Sequence, residues 1–332
     1  MKITVLYGGH SAEREISLRT GAGVAKALES RGHTVLLLDP ADPNRLVSAP
    51  APAEAPGTLE PARLVSAPAI KDTEVVFIAL HGGEGENGTL QALLDLAGVA
   101  YTGSGVLASA LAMDTRMSKQ IFEYNGIPTP GWAWIRPGDP RELPAAEVSR
   151  LGGYPLVVKP NDQGSTIGLS IIQDAAQLPL AVDTARRFSR DVLIEKFIPG
   201  RELSITVVSG QVYPIVEIRP THGIYDYECK YSKGLSSYLC PAPLDAALTA
   251  RLQELARRSC EVLGCEGAAR ADFRLSPENA PFCLEVNTVP GMTETSLVPM
   301  SAQAAGIGFA EFVEKLCTDA LVARRRKQDL TV

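Results

Sequence analysis

The sequence predicts two fold classes in one chain: an α/β part with a doubly wound parallel sheet, followed by α+β parts built on antiparallel hairpins. Three apolar runs, ITVLY from residue 3, TVLLL from residue 34 and VVFIAL from residue 75, are separated by a helical stretch and a long crossing. Parallel strands require such crossings. From about residue 130 onward, strand-like runs flank short turns instead, as PLVVKP and IGLSIIQ do around a glycine-containing turn.

Helical periodicity and stop signals place the helices between these strands. The first helix is expected from about Ala12 to Ser30, with a buried stripe of Ile16, Val24, Ala27 and Leu28. One continuous helix is expected over residues 106–125, because Gly126, Pro128 and Pro130 follow it. A further helix is expected to follow residue 88 and to end at about residue 97. Others are expected at about residues 175–188, 245–263 and 308–322. The basic tail Arg324 to Lys327 is predicted to be solvated and frayed.

Two stretches with little periodicity differ in character. The Pro/Ala-rich stretch between Asp39 and Thr73, in which LVSAP occurs twice, predicts a surface excursion. Residues 220–243 are rich in Tyr, Gly, Ser and Pro, and they predict a long functional loop.

Composition excludes several classes of protein. The chain has 332 residues, 45% of them hydrophobic, a net charge of −6 and a pI near 5.4, which argue against a nucleic-acid partner. No apolar run reaches membrane-spanning length, and Met1 leads directly into a strand pattern, so we expect a cytoplasmic protein without a membrane partner. The six cysteines form no CxxC pair and are expected to be free thiols.

A hairpin over residues 268–287 carries the strongest metal signal. Alternation puts Arg270, Asp272 and Arg274 on one face of its first strand. On the second strand, Cys283, Glu285 and Asn287 are expected on one face, and Phe282, Leu284 and Val286 on the other. If Asp272 lies beside Glu285, a divalent cation with oxygen ligands explains why two carboxylates coexist. A solvated face neutralised by arginines explains the pattern equally well.

The other candidate site residues each give only weak evidence for a site when considered alone. Lys159 precedes a turn with Gly164, Ser165 and Thr166, whose backbone N–H groups suit a phosphate, and Lys119 is a second candidate phosphate ligand. Alone, Lys119 would be a surface lysine. The strand VLIEKFIPGRE holds Glu195 and Glu202, which suit a purine and ribose. The turn after the first strand lacks GxGxxG, which disfavours a nicotinamide oxidoreductase.

These signals occur together in a particular order. GGHSAEREISL, HGGEGENGTLQ, YTGSG, MDTRMSK, VVKPNDQGSTIG, LIEKFIPGRE, YDYECKY, CPA, RADF and LEVNTVPGMTETSLVPM together resemble the D-alanine:D-alanine ligase family of the ATP-grasp superfamily, from residue 3 to about 315. The resemblance implies an ATP-grasp fold in which two α+β domains sandwich ATP. The expected domains are 1–100, which binds the first substrate, 101–191 with the glycine-rich turn, and 192–332 with the metal and acceptor site.

The resemblance also implies a reaction and its alternatives. Family members phosphorylate the carboxylate of one D-alanine with ATP and let the amine of a second attack the acyl phosphate, which supplies peptidoglycan synthesis. Ligases of the same fold that join D-alanine to D-serine or D-lactate are the alternative. A nucleotide-binding module without turnover is a further alternative, which the full set of candidate ligands disfavours. A homodimer is expected.

The resemblance assigns residues to the nucleotide and the metal. Mg²⁺, for which Mn²⁺ can substitute, is expected as two ions on Asp272, Glu285 and Asn287. Lys119 and Lys159 match the ATP-phosphate lysines, and Glu202 matches the ribose ligand. Glu195, with the backbone of Lys196 and Ile198, matches the adenine contacts.

The resemblance also assigns residues to the two D-alanines. Glu13 and His81 match the first-substrate site, Arg270 and the Gly291 N–H match the oxyanion donors, and Ser296 and Leu297 match the acceptor carboxylate site. Glu13, Ser165 and Tyr231 match a hydrogen-bonded trio. Lys230 and Tyr231 match the loop that closes over the phosphates, and a tyrosine at position 231 favours amide formation with D-alanine.

Overall fold

A four-stranded parallel sheet forms the first part of the molecule. The computed structural model describes residues 1–41, 60–221 and 234–329. The strands are Lys2–Leu6 (β1), Thr34–Leu38 (β2), Val75–Ile78 (β3) and Ala100–Tyr101 (β4), in the order β2-β1-β3-β4. All three pairings are parallel, which confirms the predicted doubly wound sheet.

The helices of this part pack on the sheet as the periodicity predicts. Helix α1 runs over Arg14–Ser30, and its predicted stripe of Ile16, Val24, Ala27 and Leu28 is buried. Three shorter helices follow at Pro61–Ser66 (α2), Pro68–Lys71 (α3) and Thr89–Leu96 (α4).

The single helix expected over residues 106–125 is wrong, because Asp114 divides it into Val106–Met113 (α5) and Thr115–Tyr124 (α6). Asp114 has φ −81° and ψ 94°, and its carboxylate accepts a hydrogen bond from the Met117 N–H at 2.9 Å. Asn161 accepts two more first-turn N–H groups of α6, through its carbonyl at 3.1 Å and its side chain at 2.9 Å. Aspartate is a strong N-cap, and here it starts a new helix.

An antiparallel sheet of order β5-β8-β6-β7 forms the central part. Its strands are Trp132–Ile135 (β5), Leu156–Pro160 (β6), Ser170–Ile172 (β7) and Val192–Lys196 (β8). β6 and β7 form the predicted hairpin around the glycine-rich turn. Helices Ala145–Arg150 (α7) and Leu178–Arg186 (α8) accompany it, and a 3-10 turn at Ala175–Gln177 replaces the first turn of the helix expected from residue 175.

A second antiparallel sheet carries the predicted metal hairpin. Its order is β12-β11-β9-β13-β14, with β10 on β9. The helix Ala246–Val262 (α9) covers its apolar side. The strands are Arg201–Val208 (β9), Gln211–Val212 (β10), Val216–Pro220 (β11), Ser236–Leu239 (β12), Ala268–Leu275 (β13) and Pro281–Asn287 (β14).

The register of β13 and β14 confirms one expectation and corrects another. Asp272 lies opposite Glu285, as predicted. However, Phe273 pairs with Cys283, so Leu284 is an extra residue in a β-bulge. Cys283 consequently packs in the core beside Phe273, while Leu284 faces the same cleft as Glu285. The predicted faces for Phe282, Cys283 and Leu284 are therefore wrong, because strict alternation cannot anticipate a bulge.

Two helices end the described chain, Leu297–Ala304 (α10) and Phe309–Asp329 (α11). The backbone of Arg324 to Lys327 belongs to α11, so the expected frayed tail is wrong. Phe312, Val313, Leu316 and Cys317 of α11 pack in one apolar core with β1, β3 and α1. Among the helices in the described ranges, none combines the length and apolar character needed to cross a membrane.

Candidate active site

A cleft of about 1050 Å³ lies between the central sheet and the second antiparallel sheet. The glycine-rich turn at Gly164–Thr166 covers one side, and apolar side chains such as Ile171, Phe197 and Leu284 form the walls. Its charged lining residues are Lys159, Glu195, Lys196, Glu202, Arg270, Asp272, Arg274 and Glu285. Apolar walls with a few convergent charges are typical of a small-molecule or cofactor site.

Strand pairing brings Lys159 and Glu195 together at this cleft. β6 and β8 are neighbours, and Glu195 pairs with Val157, two positions from Lys159. The Lys159 ammonium lies 3.0 Å from Glu195 Oε2. Burial lowers the pKa of Lys159, but Glu195 and Glu285 raise it, and the net pKa lies above its ordinary value. Lys159 is thus a charged lysine on the cleft wall, where the sequence places a phosphate ligand.

Lys119 lies behind this wall, not on it. Its side chain is 0% exposed, so the surface alternative is wrong. The ammonium donates hydrogen bonds to Thr129 Oγ1 at 2.7 Å and to the Pro130 carbonyl at 2.9 Å. It also lies 2.9 Å from Glu195 Oε1, off the direction of a hydrogen bond, and this contact is an ion pair. Oxygen atoms on three sides hold Lys119 in the interior, which leaves it no direct contact with the cleft.

Glu195 therefore holds two lysines at once. Burial raises its pKa, but Lys119 and Lys159 lower it, and the net pKa lies below its ordinary value. For Lys119, burial lowers the pKa more than Glu195 raises it. Because the Glu195 carboxylate is engaged by both ammonium groups, it stays ionised in the interior.

Arginines hold the acids on the β13 face of the cleft. Arg270 donates to both oxygens of Asp272, at 2.8 to 3.0 Å, and the Ser204 hydroxyl donates to the same carboxylate at 2.8 Å. Four residues further along the strand, Arg274 lies 3.1 Å from Glu202 and donates to the Ile198 carbonyl at 3.1 Å. Ser204 was not anticipated, because a lone serine on a strand has no signal in sequence.

The expected metal ligands meet at the end of the β13–β14 hairpin. Glu285 faces Asp272 across the strands, and Asn287 follows on β14, where its amide oxygen accepts the Val289 N–H at 2.9 Å. Among the described residues, no side chain bonds to the Glu285 carboxylate. Within the same residues, no three His, Cys, Asp or Glu side chains form a metal cluster. Two carboxylates and an amide oxygen, with one carboxylate left unpaired there, fit a hard cation such as Mg²⁺.

A second cavity, of about 1060 Å³, adjoins the first. Arg270, Glu285, Gly164 and Ser165 line both cavities. The second cavity also brings together most residues predicted to contact the two amino acids, namely Glu13, His81, Gly291, Ser296 and Leu297, and the predicted metal ligand Asn287 lines it as well. A group entering from either side therefore meets the same arginine and carboxylate.

The first-substrate end of this cavity is built by α1, the glycine-rich turn and the loop after β3. The Ser165 hydroxyl donates to Glu13, which forms two members of the predicted trio. His81 is buried, with Nε2 3.0 Å from Thr20 Oγ1 and Nδ1 3.1 Å from the Val289 carbonyl. Glu86, which the sequence did not single out, lies 3.6 Å from His81. Burial raises the pKa of Glu86, and His81 lowers it only in part.

The acceptor end is formed where α10 begins. The Ser296 hydroxyl accepts the Thr293 N–H at 3.1 Å and lies 2.8 Å from the Thr293 hydroxyl. A methyl group on Gly291 would lie 3.1 Å from Ser296 Oγ. Thr293 and Thr295 also line the cavity, although the sequence did not single them out as ligands. Lys230 and Tyr231 lie outside the described residues.

The comparisons with known proteins agree with this architecture. Two family models match, described as D-ala D-ala ligase N-terminus over residues 2–104 and D-ala D-ala ligase C-terminus over residues 121–318. A D-alanine–D-alanine ligase of Syntrophotalea carbinolica is 46% identical over 319 residues, which cover 96% of each chain. One of Gloeobacter violaceus is 44% identical over 97% of this chain and 100% of that one. The crystal structure of a Bacillus anthracis D-alanine–D-alanine ligase complexed with ATP superposes with a TM-score of 0.82 at 30% identity, covering 98% of this chain and 99% of that chain.

Proposed function

The chain belongs to the D-alanine–D-alanine ligase family, and from that premise we propose how its two adjoining cavities divide the reaction. The enzyme is an ATP-dependent ligase that forms D-alanyl-D-alanine for peptidoglycan. The carboxylate of the first D-alanine takes the γ-phosphoryl group of ATP, which releases ADP. The amine of the second then attacks the acyl carbon, and inorganic phosphate leaves. The observation that carries the proposal is that Arg270 and Glu285 line both cavities.

The first cavity takes ATP in this proposal. Lys159 contacts the phosphates, the backbone N–H groups of the glycine-rich turn cover them, and Glu202 contacts the ribose. The adenine lies between the apolar walls and against the backbone of Lys196 and Ile198. In this proposal Lys119 supports Glu195, which in turn positions Lys159, and the phosphate contact that the resemblance implies for Lys119 stays a prediction.

Asp272, Glu285 and Asn287 would hold Mg²⁺ or Mn²⁺, which when bound neutralises negative charge on the phosphates. Arg270 already bonds to Asp272, so one carboxylate is positioned by the arginine next to the transfer site. The metal ligands and the arginine lie on one face of the hairpin, so the phosphates and the oxyanion are neutralised from the same side.

The second cavity takes the two D-alanines. Glu13, held by Ser165, binds the ammonium of the first, and His81 lies beside it. Arg270 and the Gly291 N–H donate to the oxyanion that forms when the second amine attacks. Ser296 and the backbone of Leu297 bind the acceptor carboxylate at the start of α10, where unpaired N–H groups favour an anion.

Several sequence-based expectations remain predictions. They are closure of the loop with Lys230 and Tyr231, the homodimer, the cytoplasmic location and the domain limits 1–100, 101–191 and 192–332. Loop closure would exclude water and favour attack by the amine over hydrolysis of the acyl phosphate.

Phosphate release tests the proposed reaction directly. Purified protein with ATP and Mg²⁺ is expected to release phosphate when D-alanine is added, and equal turnover with L-alanine would contradict the proposal. Mixtures of D-alanine with D-serine or D-lactate, with products identified by mass, test the acceptor.

Arg270→Gln and Arg274→Gln form a matched pair, because both side chains project from the same face of β13. Arg270→Gln is expected to keep ATP binding and lose dipeptide formation. Arg274→Gln releases Glu202 and is expected to weaken ATP binding instead. Equal effects of the two substitutions on both measurements would reject the division between the cavities.

A further inference from the structure

The C-terminal end of α9 brings two cysteines together. Gly264 follows the helix with φ +74°. The Cys265 N–H donates to the Cys260 carbonyl and the Gly264 N–H to the Glu261 carbonyl, both at 2.9 Å. This is the Schellman arrangement, in which the side chains that take the positions of Cys260 and Cys265 pack against each other. Because both positions are cysteine here, the backbone turn itself brings the two thiols to the same end of the helix.

The surroundings support a reactive pair. The two thiols are neighbours across this turn, and the Ser104 side chain lies beside Cys265. Ser104 anchors the turn, because its hydroxyl bonds to both the N–H and the carbonyl of Glu266 at 3.1 Å. Cys260 is buried, whereas Cys265 is half-buried and lines a separate cavity of about 1140 Å³ between β4 and α11. A small reagent therefore reaches the pair through Cys265.

We propose that Cys260 and Cys265 are a redox modification site, which hydrogen peroxide converts from two thiols into one intramolecular disulfide. The Cys265 thiolate attacks one peroxide oxygen, the O–O bond breaks, and Cys265 becomes a sulfenic acid while water leaves. The Cys260 sulfur then attacks the Cys265 sulfur, and a second water carries away the sulfenic oxygen. Two thiols and one peroxide thus give one disulfide and two waters.

The ionisation of the thiols favours Cys265 as the attacking group. The hydrogen bond from Cys260 lowers the pKa of Cys265, burial raises it, and the bond to Ser104 lowers it, with a net pKa below its ordinary value. Cys283 and Cys317 differ, because burial raises the pKa of each to about 12. The thiolate is the reacting species, so these two provide internal controls.

The tryptic map of the chain suits this test. Cleavage after Arg258 and Arg270 releases a peptide of residues 259–270 that contains Cys260, Cys265 and no other cysteine. Cleavage after Lys315 and Arg324 releases Cys317 in a separate peptide. Folded protein is treated with peroxide, alkylated with iodoacetamide under denaturing conditions and digested.

Peptide 259–270 is expected to lose two hydrogen masses, to escape alkylation and to become alkylated after reduction with dithiothreitol, while Cys317 stays a free, alkylated thiol. Cys260→Ala is expected to leave Cys265 as a sulfenic acid that dimedone traps, and Cys265→Ala to leave Cys260 unoxidised. Alkylation of both cysteines after peroxide, or oxidation of Cys317 at the same rate, would overturn the proposal. So would a disulfide between Cys260 and Cys283. The test reads mass alone, so its outcome is independent of ligase activity.

Discussion

Replacing Lys119 with methionine is expected to cost folding stability and to leave ATP affinity nearly unchanged. Lys119 lies behind the cleft wall, whereas Lys159 lies on it, and both contact the same glutamate. Lys159→Met is therefore the matched control. Methionine keeps most of the lysine's length without its charge, so each variant reports on one ammonium group.

The magnitudes follow from what each substitution leaves behind. Without Lys119, Glu195 keeps Lys159 at 3.0 Å, so no carboxylate becomes unpaired. Thr129 Oγ1 and the Pro130 carbonyl each lose a buried donor. Each such loss costs about 1–3 kcal/mol, so we expect a total loss of about 2–6 kcal/mol of stability. Without Lys159, the lost charged hydrogen bond to a phosphate is expected to weaken ATP binding by about 10- to 100-fold. Glu195→Gln leaves two buried ammonium groups facing each other, and about 3–5 kcal/mol of stability is expected to be lost.

Fluorescence and calorimetry measure these quantities separately. The chain has two tryptophans, Trp132 and Trp134, and both lie on β5 directly beside β8, which carries Glu195. Urea unfolding followed by their fluorescence reports the free energy of unfolding of this sheet, and isothermal titration with ATP reports affinity. A tenfold or greater loss of ATP affinity in Lys119→Met at unchanged stability would refute the reasoning and restore Lys119 as a phosphate ligand.

Three further substitutions test the rest of the site. Glu285→Ala removes the carboxylate that pairs across from Asp272 and is expected to lower phosphate release by at least about 100-fold with an unchanged circular dichroism spectrum; activity within tenfold of the parent would contradict its assignment. Gly291→Ala places a methyl group 3.1 Å from Ser296 Oγ and is expected to raise KM for the acceptor D-alanine several-fold at constant ATP affinity, so an unchanged KM would place the acceptor elsewhere. Burial raises the pKa of Glu86, so its contribution to stability is present below the unfolded pKa and is lost as pH rises through the folded one. Glu86→Gln is therefore expected to gain stability relative to the parent as pH rises above about 5 in urea unfolding, and a constant difference across pH would reject the buried-acid argument.

Regular patterns account for the parts of the fold that were predicted correctly. Apolar residues spaced with the helical period of 3.6 predicted α1, and the long crossings between apolar runs predicted the parallel sheet. The errors arise where one side chain overrides a pattern. The Asp114 carboxylate caps the start of α6 and so divides one expected helix into two. The extra residue Leu284 in the bulge turns Cys283 into the core. Neither event changes composition or periodicity enough to be seen in sequence.

The residues of the site also divide into those that a regular pattern predicts and those that depend on a single long-range contact. The alternation of β13 was enough to place Arg270 and Asp272 on one face, and the structure joins them by hydrogen bonds. The burial of Lys119 was not predicted, because it depends on Thr129 and Pro130, which follow α6 and form a separate loop that folds over the ammonium. The partner of Ser204 likewise comes from a strand distant in sequence, Asp272 on β13. Such long-range contacts exist only once the sheets have assembled.

The packing of α11 on the first sheet sets an order of events during synthesis. Ile3, Val5 and Phe77 are made early, yet they share their core with Phe312, Val313 and Leu316, which are made more than 200 residues later. While the ribosome extends the intervening chain, this apolar side of the nascent first sheet is covered by α1 alone and lacks the contacts that α11 adds. Nascent chains that stop before Phe309 are therefore expected to bind chaperones and not to form a native-like first domain when they are released from the ribosome. A helix near the end of the described chain thus completes a core that begins with β1.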